Sequence, residues 1–191
     1  PSPVPLPGGR IFLSSGYASK TGSLMLEIKK GGDLSSSNPK TAVASHADPS
    51  QKGERLPFTA KSVFRLTPQQ FNSEQQTPIY YDGHLYAVRK RGGGQLVCLD
   101  LDGNERWNSG GDRFGHGPYM IADGLIFVMD NHGKLTMAEA TPRAYNRLGQ
   151  CIVFEDGYDA WGPMALVAGR LILRDMTRMT CLDVSAERSD P

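Results

Sequence analysis

The sequence has almost no net charge, few cysteines and no long apolar run. Its 191 residues hold 21 Lys or Arg against 20 Asp or Glu, a net charge of +1. That balance creates no bulk field to draw in nucleic acid or an anionic membrane. The short basic clusters Lys29-Lys30 and Arg89-Lys90-Arg91 have no interleaved aromatics, so no nucleic-acid partner is expected. No apolar stretch approaches the roughly 18 residues of a membrane span, so no transmembrane segment is expected either. The opening Pro1-Ser2-Pro3-Val4-Pro5 lacks the basic end and apolar stretch of a signal peptide, and no initiator Met precedes it. It reads as a mature, trimmed or excised chain. Cys98, Cys151 and Cys181 form an odd set without CxxC or Cys/His spacing, against both a zinc site and a full disulfide framework. GxGxxG, P-loop, HExxH and GxSxG signatures are all missing.

Glycine and proline, by contrast, are plentiful. The 22 Gly and 13 Pro make up about 18% of the chain, against a usual total near 12%. Gly costs about 1 kcal/mol and Pro about 3 in a helix interior, so a helical bundle is disfavoured. An all-β protein with many turns is expected.

Four segments superimpose on one another: Ser2-Pro3 to Gly9-Arg10-Ile11-Phe12, Thr77-Pro78 to Gly83-His84-Leu85-Tyr86, Gly117-Pro118 to Gly124-Leu125-Ile126-Phe127, and Gly162-Pro163 to Gly169-Arg170-Leu171-Ile172. A second motif follows each Gly: Met25-Leu26-Glu27-Ile28, Cys98-Leu99-Asp100-Leu101, Met137-Ala138-Glu139-Ala140 and Cys181-Leu182-Asp183-Val184. The apolar runs are short and rich in Ile, Val, Leu, Phe and Tyr, which suits strands, and Asp82-Gly83 and Asp123-Gly124 are hairpin turns. Pro ahead of a first strand blocks ladder pairing and fixes where that strand begins. Fourth strands are expected near Val63-Phe64-Arg65-Leu66, after Asp102-Gly103 into Trp107, and at Cys151-Ile152-Val153-Phe154. Four strands per unit of about 40 residues is the arithmetic of a β-propeller blade.

The expected organisation is therefore an all-β partial propeller of four-stranded antiparallel blades over 1–184. The blades cover about 1–70 (with a Gly/Ser/Lys/Pro-rich insertion at 31–61), 71–110, 111–156 and 157–184, and a polar tail covers 185–191. About 15 strands result, because the last unit stops after its third. Four blades make an open ring, one half of an eight-bladed propeller. The expected partners are further blades of a parent chain or a second copy.

The stretch Cys98-Leu99-Asp100-Leu101-Asp102-Gly103 ending in Trp107 resembles the repeat of the pyrroloquinoline-quinone-like (quinoprotein alcohol dehydrogenase-like) β-propellers. In that family a Trp late in each blade docks on the neighbouring blade; here the other blades offer Phe64 and Phe154 instead. The run from Gln75 to Val184 is similar to the C-terminal half of secreted, planctomycete-type members. The resemblance covers about 1–30 and 62–184, and it implies a periplasmic or secreted location. It also implies a cofactor to test, pyrroloquinoline quinone with calcium. Family sites of that kind need a Trp floor, a calcium held by carboxylate and amide oxygens, a catalytic Asp and often an adjacent Cys pair. No Cys-Cys occurs here, and Asp159 beside Trp161 is the sole candidate fragment. The expectation is no cofactor and no resident metal.

In this architecture the loops between blades lie at the mouth of the central channel. Three of them carry unusual side chains: Asn72-Ser73-Glu74-Gln75-Gln76, Arg113-Phe114-Gly115-His116-Gly117 and Tyr158-Asp159-Ala160-Trp161-Gly162. Glu74, Gln75, Gln76, Arg113, His116, Asp159 and Trp161 should converge there and suit a polar or sugar-like ligand, with Trp161 as a stacking platform. The bland alternative is that the aromatics pack between blades while the polar groups satisfy loop backbone. Glu27, Asp100, Glu139 and Asp183 recur once per blade and are read as acceptors of turn hydrogen bonds, not as catalytic acids. Two functions of different class stay open. One is a non-enzymatic module presenting channel-mouth loops to a protein, an envelope component or a saccharide. The other is half of a quinoprotein-like oxidoreductase whose cofactor contacts lie partly on other blades.

Overall fold

The computed structural model describes residues 1–17, 21–30 and 58–185. Fifteen strands form four antiparallel sheets in chain order. The first sheet holds β1 (Val4–Leu6), β2 (Arg10–Ser14), β3 (Ser23–Lys30) and β4 (Phe58–Leu66). The second holds β5 (Ile79–Tyr81), β6 (His84–Arg89), β7 (Gln95–Leu99) and β8 (Glu105–Asn108). The third holds β9 (Tyr119–Ala122), β10 (Leu125–Met129), β11 (Lys134–Glu139) and β12 (Arg147–Ile152), and the fourth β13 (Ala165–Val167), β14 (Arg170–Arg174) and β15 (Met179–Asp183). Every sheet is an up-and-down meander. Three apolar clusters hold them together, one between each consecutive pair of sheets. This all-β stack is compatible with a propeller-like arrangement, and the described residues form no closed ring. No described helix is long and apolar enough to cross a membrane.

The local chemistry explains the regularity. Pro3, Pro78 and Pro118 directly precede β1, β5 and β9, and Pro163 lies two residues ahead of β13. The first hairpins of sheets two to four turn on Asp82-Gly83, Asp123-Gly124 and Ala168-Gly169, with positive φ at both residues of each turn. That geometry is the type I′ turn, whose twist matches the strands it joins. Asp, Asn and Gly tolerate it; Ala168, at φ 46°, has no side-chain acceptor to offset the strain.

A bulge recurs at one register position. Met25 faces Phe64 and Leu26 faces Ser62, leaving Val63 extra. Cys98 faces Trp107 and Leu99 faces Glu105, leaving Arg106 extra. Met137 faces Gly149 and Ala138 faces Arg147, leaving Leu148 extra. The extra residue bends each fourth strand in the same way.

Trp107 docks on the next sheet. It is 8% exposed, its ring lies 6.0 Å from Tyr86 and 5.7 Å from Tyr145, and Nε1 donates to the Thr141 carbonyl at 2.7 Å. Phe64 holds the same register position in the first sheet. Phe154 does not: the fourth strand of the third sheet is Arg147–Ile152, and the residue facing Met137 is Gly149. Phe154 is buried beyond that strand, where its backbone N–H reaches the Gly133 carbonyl. Gly149 comes twelve residues after Met137 and Trp107 nine after Cys98, so Phe154, seventeen after Met137, lies five residues past the docking position.

The insertion at 31–61 also needs correction. Residues 58–61 belong to β4, paired with Glu27, Ile28, Lys29 and Lys30, while 31–57 lie outside the described residues. Of the tail at 185–191, only Ser185 is described. Among the recurrent acids, Asp100 accepts from the N–H groups of Asp102 and Asn104, and Asp183 from that of Ser185. Glu27 pairs with Lys29 instead, at 3.2 Å.

Candidate functional site

The loops between sheets and the turns joining each second strand to its third emerge at the same end of the stack. Here the structure gathers Tyr17, Glu74, Gln75, Lys90, His116, Asn131 and Trp161. Glu74 sits at the centre, its side chain 13% exposed. One carboxylate oxygen pairs with the Lys90 ammonium, and the other lies 2.7 Å from His116 Nε2. A carboxylate can only accept, so Nε2 carries the proton. Burial raises the Glu74 carboxyl, but hydrogen bonds and charge from Lys90 and His116 outweigh it and hold the pKa below its ordinary value.

Asn131 ties the neighbouring loops together. Its Oδ1 accepts the backbone N–H of His116 at 2.8 Å and the indole N–H of Trp161 at 2.9 Å. Gly115 permits this approach: it has φ 58°, and a Cβ there would lie 2.3 Å from Asn131 Nδ2. The Trp161 ring stands edge-on to the His116 ring at 5.0 Å, and the Tyr17 ring lies 6.3 Å from the same imidazole. The Gln75 amide bonds the Tyr17 hydroxyl. Tyr17 is 61% exposed and Trp161 38%, so both rings retain solvent-facing surface.

Of the seven residues singled out in the sequence, Glu74, Gln75, His116 and Trp161 come together. Gln76 is adjacent, but its amide is spent on the Gly117 carbonyl at 2.5 Å. Arg113 turns away; its guanidinium bonds the carbonyls of Gly110 and Asp112 and its stem lies against Gly93. Asp159 acts through its backbone, where φ is 49° and the carbonyl accepts the Trp161 N–H at 2.7 Å. Its carboxylate has no partner among the described residues. Three members were not anticipated: Tyr17, Lys90 and Asn131. They lie on the turns between second and third strands, and the signal available was that these turns share an end with the loops between sheets.

The His116–Glu74 pair resembles a base with its orienting acid, yet no Ser, Thr or Cys side chain hydrogen-bonds to the imidazole among the described residues. Nor do the residues fit the quinone and its calcium. Both oxygens of Glu74 are engaged by cations, His116 stands against the Trp161 ring, and no three described His, Cys, Asp or Glu side chains could share an ion. Burial pushes the Cys98 thiol up to about 11, so it is a packing residue. Two open grooves lie elsewhere. One of about 470 Å³ borders Leu13, Leu24 and Arg65 on the first sheet. The other, of about 380 Å³, borders Gln70, Arg89 and Glu105; there Arg89 Nε has no partner among the described residues, while its other nitrogens bind Glu105 and Gln95.

No family model matches this sequence, and no curated protein matches it.

Proposed function

We propose that the chain is a non-enzymatic β-propeller repeat module, akin to the pyrroloquinoline-quinone-like propellers, whose loop end binds a saccharide. The observation that carries this reading is the flanking of His116 by the Tyr17 and Trp161 rings, with the Glu74 carboxylate on its Nε2, Gln75 on the Tyr17 hydroxyl and Asn131 on the Trp161 indole. Sugars present apolar C–H faces to aromatic rings and hydroxyls to carboxylates and amides, so this mixture suits them. Because Lys90 and His116 meet Glu74 within the site, the ligand need not carry a compensating charge, which favours a neutral sugar. The four sheets then serve as blades of an eight-bladed ring, with the loop end at the channel mouth.

Titration with neutral oligosaccharides, followed by indole fluorescence and calorimetry, tests the reading. A saturable fluorescence change should appear in the native chain and vanish in Trp161→Ala, while Arg113→Ala leaves it intact. Absence of any response across gluco-, galacto- and N-acetylhexosamine oligomers, or binding unchanged in Trp161→Ala, would refute it.

A further inference from the structure

Each sheet has two unlike faces, and the contacts inside the chain always join opposite kinds. In the first three sheets one face presents a cross-strand aromatic–sulfur pair, namely Phe12–Met25, Tyr86–Cys98 and Phe127–Met137. Each pair packs on the aliphatic face of the following sheet, represented by Leu85 and Leu99, Ile126 and Ala138, and Leu171 and Leu182. Two faces have no sheet against them among the described residues. On the fourth sheet, Ile172 paired with Cys181 holds the register position of the aromatic–sulfur pairs. Beside them Met179 is 72% and Val167 63% exposed. On the first sheet, Ile11 paired with Leu26 and Leu13 with Leu24 hold the positions of Leu85–Leu99 and Ala87–Val97. The second-sheet residues are buried, whereas those four are only half-buried. Leu13 and Leu24 border the groove of about 470 Å³.

We propose that a second copy of this chain covers both faces, the fourth sheet of each copy packing on the first sheet of the other. Continuity argues for this occupant. The free faces are of the same two kinds, in the same register, as those joined three times within the chain, so the new joint extends an interface the protein already makes. The contact is head to tail, and two of them related by a two-fold axis close the stack into a ring of eight sheets. Exposed apolar faces of this extent are otherwise a liability for a monomer. The inference rests on sheet register alone and stands or falls separately from saccharide binding at the loops.

Sedimentation equilibrium and light scattering on the 191-residue chain test it. The expected mass is twice 20.8 kDa. Met179→Lys and Leu13→Lys each place a charge on one free face. Because every copy uses both faces, either substitution alone weakens both contacts, and the dissociation constant should rise roughly a hundredfold or more as a charge is buried without a partner. Circular dichroism and a cooperative melt check that each variant folds, and Val167→Lys and Leu24→Lys are the alternates. In the unmodified chain, alkylation of Cys181 should slow as protein concentration rises. A monomer throughout, or Cys181 alkylation independent of concentration, overturns the proposal. A dimer that survives a substitution on either face shows like-on-like pairing, and an open-ended series of larger species excludes the closed ring; both overturn it as well.

Discussion

Replacing Trp107 by alanine should remove about 4 kcal/mol of stability. An indole buries about 200 Å², which at about 25 cal/mol per Å² sets an upper bound near 5 kcal/mol. Trp107 is 8% exposed and flanked by Tyr86 and Tyr145, so most of that area is lost on truncation. Core aromatic truncations cost about 3–5 kcal/mol. Leaving the Thr141 carbonyl without its 2.7 Å donor adds about 1 kcal/mol, and collapse of Tyr145 into the space recovers a similar amount. Urea unfolding followed by circular dichroism measures the change. In a chain of this size 4 kcal/mol corresponds to a Tm lower by about 8–16 °C. Trp107→Phe keeps most of the ring and loses the N–H, so it should cost only about 1–2 kcal/mol. Trp161→Ala, at a 38% exposed residue whose indole N–H bonds Asn131, removes less buried area and should cost about 1–2 kcal/mol. Equal losses at Trp107 and Trp161, or a Trp107→Phe as damaging as Trp107→Ala, would refute the docking assignment.

Ala168→Asp or Ala168→Gly should raise stability by about 1 kcal/mol in thermal unfolding, because the left-handed conformation at φ 46° suits Asp or Gly better than Ala. Asp82 and Asp123 already fill the equivalent positions. Asp175 titrates near 2, held down first by the Thr177 N–H and then by the backbone and guanidinium of Arg178, against the effect of burial. Its folded pKa lies below the ordinary 3.8, so its contribution is complete above about that pH and is lost as pH falls toward 2. Asp175→Asn should therefore flatten the dependence of Tm on pH below 4, and an unchanged slope would refute this. Thiol labelling of the folded protein should be fast at exposed Cys151 and slow at Cys98, whose thiol is buried; comparable rates would show that the second sheet opens readily.

The repeat was legible because its signals are local. Proline before a first strand, Asp-Gly at a hairpin and alternating apolar residues each act through the backbone of a few neighbouring positions, and so the strands fall where these signals put them. Phe154 was misplaced because its apparent equivalence to Trp107 rested on its place at the end of an apolar run. Register is counted from the facing residue of the third strand, and Phe154 lies five residues past Gly149, which faces Met137. At the loop end, His116 and Trp161 stood out by type, but their meeting depends on Asn131, a residue with no distinguishing mark in sequence. Its value comes from one oxygen accepting two donors on different loops. Arg113 was as conspicuous as His116; a three-residue reach back to the Gly110 carbonyl satisfies it locally.

The three apolar clusters each span only two adjacent sheets, so each sheet draws its support from its immediate neighbours. Such a chain resembles a one-dimensional array, whose cooperativity is transmitted step by step and whose ends fray before its middle. The second and third sheets have a neighbour on both faces; among the described residues the fourth has one and no strand beyond β15. Amide hydrogen exchange should accordingly be slowest in β6, β7, β10 and β11 and fastest in β13 to β15. Pairing of the terminal faces would erase that gradient, turning a rod that melts from its tips into a loop with no tip from which melting can begin.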